Sequence, residues 1–334
     1  MIQMKKRRKA ITFMVLFALL CSGCGNTPKE NITETVALAY TGSKSFEYYD
    51  VGNDRNADFL SGRGTEVCIT SEEYNGEAVS GQDYVYGLYR ISDNKILEQS
   101  GITEKIYPAS TTKLLTALLA LKYCNLSESV TFSYNATHLG VYGAVSCDFK
   151  EGDTVILEDL LAALLIYSGN DAGVAIAEHI SGSVEAFAEL MNEEARKLGA
   201  VDTHFVNPHG LHNKDHYTTA YDIYLILNEL IHYSKFVSIV SMPSCEINYK
   251  DAQGNAKTKV FNSTNLYFGG SFEAPEEIEI IGGKTGTTNA AGCCLTLYFK
   301  DDNGVSYIAE VFHAPTYEVL YGKMTELMKT AVSK

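Results

Sequence analysis

The chain has 334 residues, 46% of them hydrophobic, enough to bury a large core in one domain or two. Its formal net charge at pH 7 is −14. So acidic a surface repels phosphate backbones and argues against nucleic acid as a partner.

At the N-terminus "MIQMKKRRKA" is basic, and "ITFMVLFALL" is apolar but too short to span a membrane comfortably. It runs into "CSGC", where Ser22 and Gly23 are the small residues a signal peptidase requires beside its cut. This segment resembles the lipobox of bacterial lipoproteins, with Cys24 as the lipid-bearing N-terminus, although the usual Leu three positions earlier is Cys21. The other reading is an uncleaved N-terminal anchor. Both make the protein exported and held to the outer face of the cytoplasmic membrane. Removal of 1–23 as a signal peptide takes away Lys5, Lys6, Arg7, Arg8 and Lys9 and no acid, moving the charge from −14 to −19. Residues 24–79 read as a tether of turn formers and scattered charge, with "TEVCIT" (65–70) as a possible short strand. The folded domain is expected over 80–334. Beyond Cys24 lie Cys68, Cys124, Cys147, Cys245, Cys293 and Cys294, without zinc-ligand spacing and mostly in apolar surroundings that suit small buried hydrophobes. Export permits disulfides, and the sequence assigns none.

"YVYGLYRISDNKILEQ" (84–99) is two β-rich runs about "SDN" and predicts a hairpin. Pro108 suits the start of a helix whose leucines, from Leu114 to Leu121, surround it with apolar side chains and place it centrally. "LEDLLAALLIYSGNDAGVAIAEHI" (157–180) predicts two helices broken at Ser168–Asn170. "VEAFAELMNEEARKLG" predicts an amphipathic helix ended by Gly199, and "TTAYDIYLILNELIHY" predicts another. The runs "SCEINYK", "KTKVFN", "EIIGGKTGTT", "GCCLTLYFK" and "SYIAEVFHA" alternate like antiparallel strands, and "TYEVLYGKMTELMKTAVS" predicts a closing helix. Hairpin, helical block, sheet and final helix describe one α/β (α+β) unit whose antiparallel sheet is built from both chain ends.

Ser110 and Lys113 lie three apart, on one helical face, so Oγ and Nζ can meet. The lysine must be neutral to take a proton, which burial and a second cation favour. Alone, Ser-x-x-Lys arises by chance roughly once every few hundred positions. Ser92-Asp-Asn-Lys95 is such a case, in a hairpin turn without a following helix. Ser110 is accompanied, in order, by Ser168-Gly169-Asn170 in a loop between apolar helices and by Lys284-Thr285-Gly286 on a strand-like run. His204, His209, His212 and His216 crowd "THFVNPHGLHNKDH", but their spacing matches no zinc helix, and Pro208 and Gly210 make the segment a loop.

With these three motifs the chain resembles the low-molecular-weight penicillin-binding proteins, serine-type D-alanyl-D-alanine carboxypeptidases. The resemblance runs from about residue 81 to the end and rests on "YPASTTKLLTALLAL", "LEDLLAALLIYSGNDAGVAIAEHISGS", "FVNPHGLHNKDHYTTAYDI" and "GGKTGTTNAAGCCLTLYF". It implies the penicillin-binding-protein/β-lactamase-like fold, no cofactor and no metal. Its implied substrate is a peptidoglycan stem peptide ending in D-Ala-D-Ala, with β-lactams as covalent inhibitors. It implies Ser110 as nucleophile, Lys113 as base, Ser168 as a hydrogen-bonded proton relay and Asn170 as the orienting amide. Lys284, Thr285, Gly286 and Thr287 would bind substrate, with backbone N–H groups of Ser110 and Thr287 as oxyanion hole. Two departures stand out. The 48 residues after Gly286 suffice for sheet and helix but not for the further β-rich domain of many relatives, and no arginine follows Arg196, where relatives often place one near the substrate carboxylate. Two other readings are a class A-like β-lactamase, whose deacylating glutamate "NPHGLHNKD" lacks, and a catalytically silent wall-binding lipoprotein.

Overall fold

In the computed structural model, which describes Ile69–Thr70 and residues 84–334, the predicted hairpin is the start of the main sheet. Strands β2 (Val85–Arg90) and β3 (Lys95–Ser100) flank a 3-10 turn, Ile91–Asp93, closed by Asn94 in the left-handed region at φ 54°. Asparagine tolerates that conformation better than other residues with a Cβ. The short β1 (Ile69–Thr70) pairs with β3 in parallel, so the sheet is not purely antiparallel as expected. The proposed signal peptide 1–23, Cys24 and nearly all of the 24–79 tether lie outside the described residues.

A 3-10 turn, Ala109–Thr112, leads into α1 (Lys113–Tyr123). Leu114, Leu115, Leu118 and Leu119 are fully buried on it. At roughly 1.5–3 kcal/mol each, their burial favours this position by about 6–12 kcal/mol before chain entropy is charged against it. The next elements are β4 (Ser129–Thr131), the single turn α2 (Tyr134–Thr137), β5 (Thr154–Ile156) and α3 (Leu157–Ala162). After α3 a π-helical turn, Ala163–Tyr167, ends at Ser168, and α4 (Asn170–Ser181) begins two residues on, as the Ser-Gly-Asn break predicts. Helices α5 (Val184–Lys197) and α6 (Ala220–Leu230) start at Ser183 and Thr219, whose hydroxyls accept the N–H groups of Ala186 and Asp222. The short α7 (Ser234–Val240) follows.

The remaining strands divide between two sheets, not one. β6 (Ser244–Lys250) and β7 (Ala256–Asn262) join β4 and β5 in a small four-stranded sheet, order β4-β5-β6-β7. β8 (Ile278–Thr288), β9 (Gly292–Asp301) and β10 (Ser306–Ala314) complete the main sheet, order β1-β3-β2-β10-β9-β8. That sheet is built from both chain ends. The closing helix α8 (Tyr317–Ser333) covers one face through Leu320, Tyr321, Met324, Leu327 and Met328. Against the other face packs the helical block around α1 and α6. β8 is left as an edge strand, and it runs beside the 3-10 turn that carries Ser110.

Candidate active site

Pro108 fixes the entry to the 3-10 turn, and Ala109 follows in the left-handed region at φ 46°. For a residue with a Cβ this costs about 1–2 kcal/mol. The hydroxyls of Thr111 and Thr112 tie the turn by donating to the carbonyls of Pro108 and Ala109, both at 2.8 Å. Two glycines approach closely enough that no Cβ would fit. One built on Gly210 would lie 1.7 Å from the Ala109 oxygen; one on Gly286 would lie 2.8 Å from the Ser110 nitrogen. The glycine of Lys284-Thr285-Gly286 is therefore what lets the edge strand reach the Ser110 backbone.

Lys113, fully buried, meets three oxygens: Ser110 Oγ at 2.8 Å, Asn170 Oδ1 at 2.7 Å and the His209 carbonyl at 2.7 Å. Burial, and then the neighbouring positive charge of Lys284, hold the Lys113 amine well below its ordinary pKa of 10.5. A neutral amine has two N–H donors and one lone pair. The two carbonyl oxygens can only accept, so they take both N–H groups. The third neighbour, a hydroxyl, can donate, and the lone pair is left facing the Ser110 proton. After transfer the ammonium donates to the same three oxygens, so neither protonation state needs the site to rearrange.

The second motif is positioned by its neighbour in sequence. Ser168 sits at φ 73° after the π-helical turn, and a Cβ on Gly169 would lie 2.3 Å from Cys147 Sγ. Asp171, buried, accepts from the N–H of Cys147 and the hydroxyl of Ser146, both at 2.9 Å, fastening the 139–147 loop to this turn. The Asn170 N–H donates to the Val145 carbonyl at 2.9 Å. Ser168 is 6% exposed, and its hydroxyl makes no hydrogen bond among the described residues. Asn170 is the member of this motif that hydrogen-bonds Lys113.

The histidine-rich loop clamps one face of α1 and the turn before it. Asn207 Oδ1 accepts the N–H groups of His209 and Gly210, setting the His209 carbonyl toward Lys113. Thr116 donates to the Pro208 carbonyl at 2.6 Å. His216 Nδ1 accepts the Val206 N–H, so Nε2 carries the proton and donates to Thr112 Oγ1 at 2.8 Å. Burial pushes the His216 pKa down to about 3 and that of His209 well below its ordinary value.

On β8, Lys284 is 1% exposed and donates to the Thr285 carbonyl at 2.9 Å, with burial lowering its pKa to about 7. That bond takes one of the three N–H groups of the ammonium. Thr285 Oγ1 is shared with Thr264, and the exposed Thr287 hydroxyl lies 3.0 Å from the Tyr317 hydroxyl. The structure thus brings Ser110, Lys113 and Asn170 into direct contact, lays Gly286 against Ser110, and keeps Ser92 apart in an exposed turn, where Lys95 faces Asp93. Asp171, the His209 carbonyl, Thr264 and Tyr317 were not foreseen. Asp171 alone had a signal, an acid in the first turn of a helix. The five described cysteines, Cys124, Cys147, Cys245, Cys293 and Cys294, are free thiols, four of them buried as expected.

A family profile described as D-alanyl-D-alanine carboxypeptidase matches residues 82–316. The chain is 32% identical over 247 residues to D-alanyl-D-alanine carboxypeptidase DacF of Bacillus subtilis, covering 72% of this chain and 59% of that one. It is 32% identical over 264 residues to DacC of Escherichia coli, covering 77% and 62%. It thus spans about three fifths of the length of these curated relatives. Among solved structures, the Streptomyces K15 DD-transpeptidase superposes with a TM-score of 0.69 at 24% identity, over 75% of this chain and 96% of that one. The carboxypeptidase DacD of Francisella tularensis gives 0.66 at 23%, over 76% and 71%. These likenesses establish the penicillin-binding-protein fold.

Proposed function

The chain belongs to the D-alanyl-D-alanine carboxypeptidase family, and on that premise we propose that it removes the terminal D-alanine from peptidoglycan stem pentapeptides through an acyl-enzyme on Ser110. The observation that carries this reading is the buried Lys113 amine, whose two N–H groups are taken by Asn170 Oδ1 and the His209 carbonyl. Its lone pair is thereby presented to Ser110 Oγ at 2.8 Å.

Ser110 Oγ attacks the carbonyl carbon of the penultimate D-alanine while Lys113 takes its proton. The carbonyl oxygen becomes an oxyanion, stabilised by the backbone N–H groups of Ser110 and Thr287. The substrate backbone lies along the free edge of β8, whose close approach to Ser110 sets the spacing between the two donors. When the C–N bond breaks, the proton passes from Lys113 through Ser168 to the leaving amine. In the structure Lys113 bonds Ser110, Asn170 and the His209 carbonyl and not Ser168, so the relay requires the Ser168 hydroxyl to join Lys113 once substrate is bound. Lys284 supplies positive potential for the terminal carboxylate and favours neutral Lys113, while Thr285, Gly286 and Thr287 line the strand that holds the substrate. Water then attacks the acyl-enzyme with Lys113 as base, and Ser110 is regenerated. No cofactor enters this scheme.

β-Lactams acylate the same serine. The protein is exported and lipid-anchored through Cys24 on the outer face of the membrane, a reading supported by the basic start and "LLCSGC". Fluorescent penicillin should attach stably to Ser110, located by peptide mapping; attachment should vanish in Ser110→Ala and persist in Ser92→Ala. A label on any other residue would refute the assignment.

A further inference from the structure

The donors along β8 are unequally free. Lys284 and Thr285 are buried, Lys284 Nζ giving one of its three N–H groups to the Thr285 carbonyl and Thr285 Oγ1 sharing a hydrogen bond with Thr264. Beyond Gly286 the strand turns its Thr287 hydroxyl to solvent. That hydroxyl lies 2.8 Å from the Gly286 carbonyl and 3.0 Å from the hydroxyl of Tyr317, the first residue of α8. A threonine hydroxyl has one proton and two lone pairs. Its proton goes to the Gly286 carbonyl, which can only accept, so Tyr317 O–H donates to Thr287 Oγ1. Tyr317 is 43% exposed, at the rim where a substrate's C-terminus would leave the strand. The arginines among the described residues are Arg90, paired with Asp93 by the β2–β3 turn, and Arg196 on α5. Neither lies on β8, β9, β10 or α8, the elements that form this rim.

We propose that Tyr317 is a positioning residue for the C-terminal end of the substrate: its phenol, by donating to Thr287 Oγ1, aims the Thr287 proton at the incoming terminal group. The Thr287 proton turns from the Gly286 carbonyl to the substrate carboxylate, while the Tyr317 bond stays in place and holds the oxygen still. The pair is neutral. Hydroxyls can also accept, so an amide N–H at the same place finds an acceptor, where a guanidinium would offer donors only. The pair itself therefore adds little discrimination between a free carboxylate and an amidated or extended C-terminus, and any modest preference for the acid comes from the potential of Lys284.

This inference rests on the carboxypeptidase reading, and one experiment separates them. Release of the terminal residue would be measured for peptides ending in D-Ala-D-Ala as the free acid and as the amide, with wild type, Tyr317→Phe and Tyr317→Arg. Wild type should release from both, with kcat/KM differing by less than about tenfold. Tyr317→Phe should raise KM for the free acid several-fold with kcat nearly unchanged. Tyr317→Arg should lower KM for the acid, restoring what the phenylalanine loses, and widen the acid-over-amide preference by about tenfold or more. If wild type is active while neither substitution moves KM or the acid-to-amide ratio, the role given to Tyr317 is wrong and the carboxypeptidase reading stands. A wild type that releases nothing from either peptide overturns both.

Discussion

Replacing Lys284 by methionine should make the protein more stable and the enzyme nearly inactive. The ammonium is 1% exposed, and burial lowers its pKa from 10.5 to about 7. A fall of that size corresponds to roughly 5 kcal/mol. Between about pH 7 and 10.5 the unfolded chain holds a proton that the folded chain does not, so stability rises with pH across that window. Below about pH 7 the whole penalty is present. Set against it is the hydrogen bond to the Thr285 carbonyl, about 1.5–3 kcal/mol for a charged donor. Methionine is unbranched and apolar and can follow the same channel. The net gain should be about 2–3 kcal/mol at pH 6, shrinking to below about 1 kcal/mol by pH 10. Urea unfolding of both proteins at several pH values from 6 to 10 measures it. Penicillin acylation of the variant should fall at the same time by the equivalent of about 2–4 kcal/mol. A stability difference that ignores pH, or a variant less stable at pH 6, would refute the idea that a charged Lys284 is held at a cost for function.

In the same variant, loss of the neighbouring positive charge should raise the pKa of Lys113, so the rise of acylation rate with pH should move to higher pH; an unmoved limb would deny the coupling. Gly286→Ala should push β8 off the Ser110 turn and cut acylation by about a hundredfold, checked by stopped-flow labelling, with wild-type rates as the contradicting result. Burial lowers the His216 pKa to about 3, so as pH falls from about 6.5 the unfolded chain takes up a proton first and stability drops by up to roughly 5 kcal/mol. His216→Gln should flatten that acid slope in urea midpoints. Metabolic labelling with a fatty acid should tag the wild type and not Cys24→Ala; label that persists would defeat the lipobox reading.

Ser110, Lys113 and Asn170 were legible because their side chains do the work and helix geometry carries the serine–lysine spacing. The His209 carbonyl was not, since any residue there supplies the same oxygen and only the Asn207-stapled loop aims it at Lys113. Asp171 adjoins a motif, yet its partners Ser146 and Cys147 lie in an earlier loop that local sequence does not connect to it. Alternation along "SCEINYK" and "KTKVFN" fixed which side chains face inward but not which strands would be neighbours, and so the second sheet was missed. The three-residue β4 and β5 are too short to show a period. Tyr317 stands near Thr287 only because β10 delivers α8 to the end of β8, a long-range consequence of strand order.

The central claim, that Lys113 makes Ser110 a nucleophile toward D-Ala-D-Ala, is tested most directly by mass spectrometry of a stem pentapeptide incubated with the protein. The wild type should convert it to the tetrapeptide plus free D-alanine, and a brief reaction should leave a tetrapeptide acyl mass on the peptide carrying Ser110. Ser110→Ala and Lys113→Ala should do neither. Trimming that continues in Ser110→Ala, or a wild type that leaves the pentapeptide whole, would contradict the account.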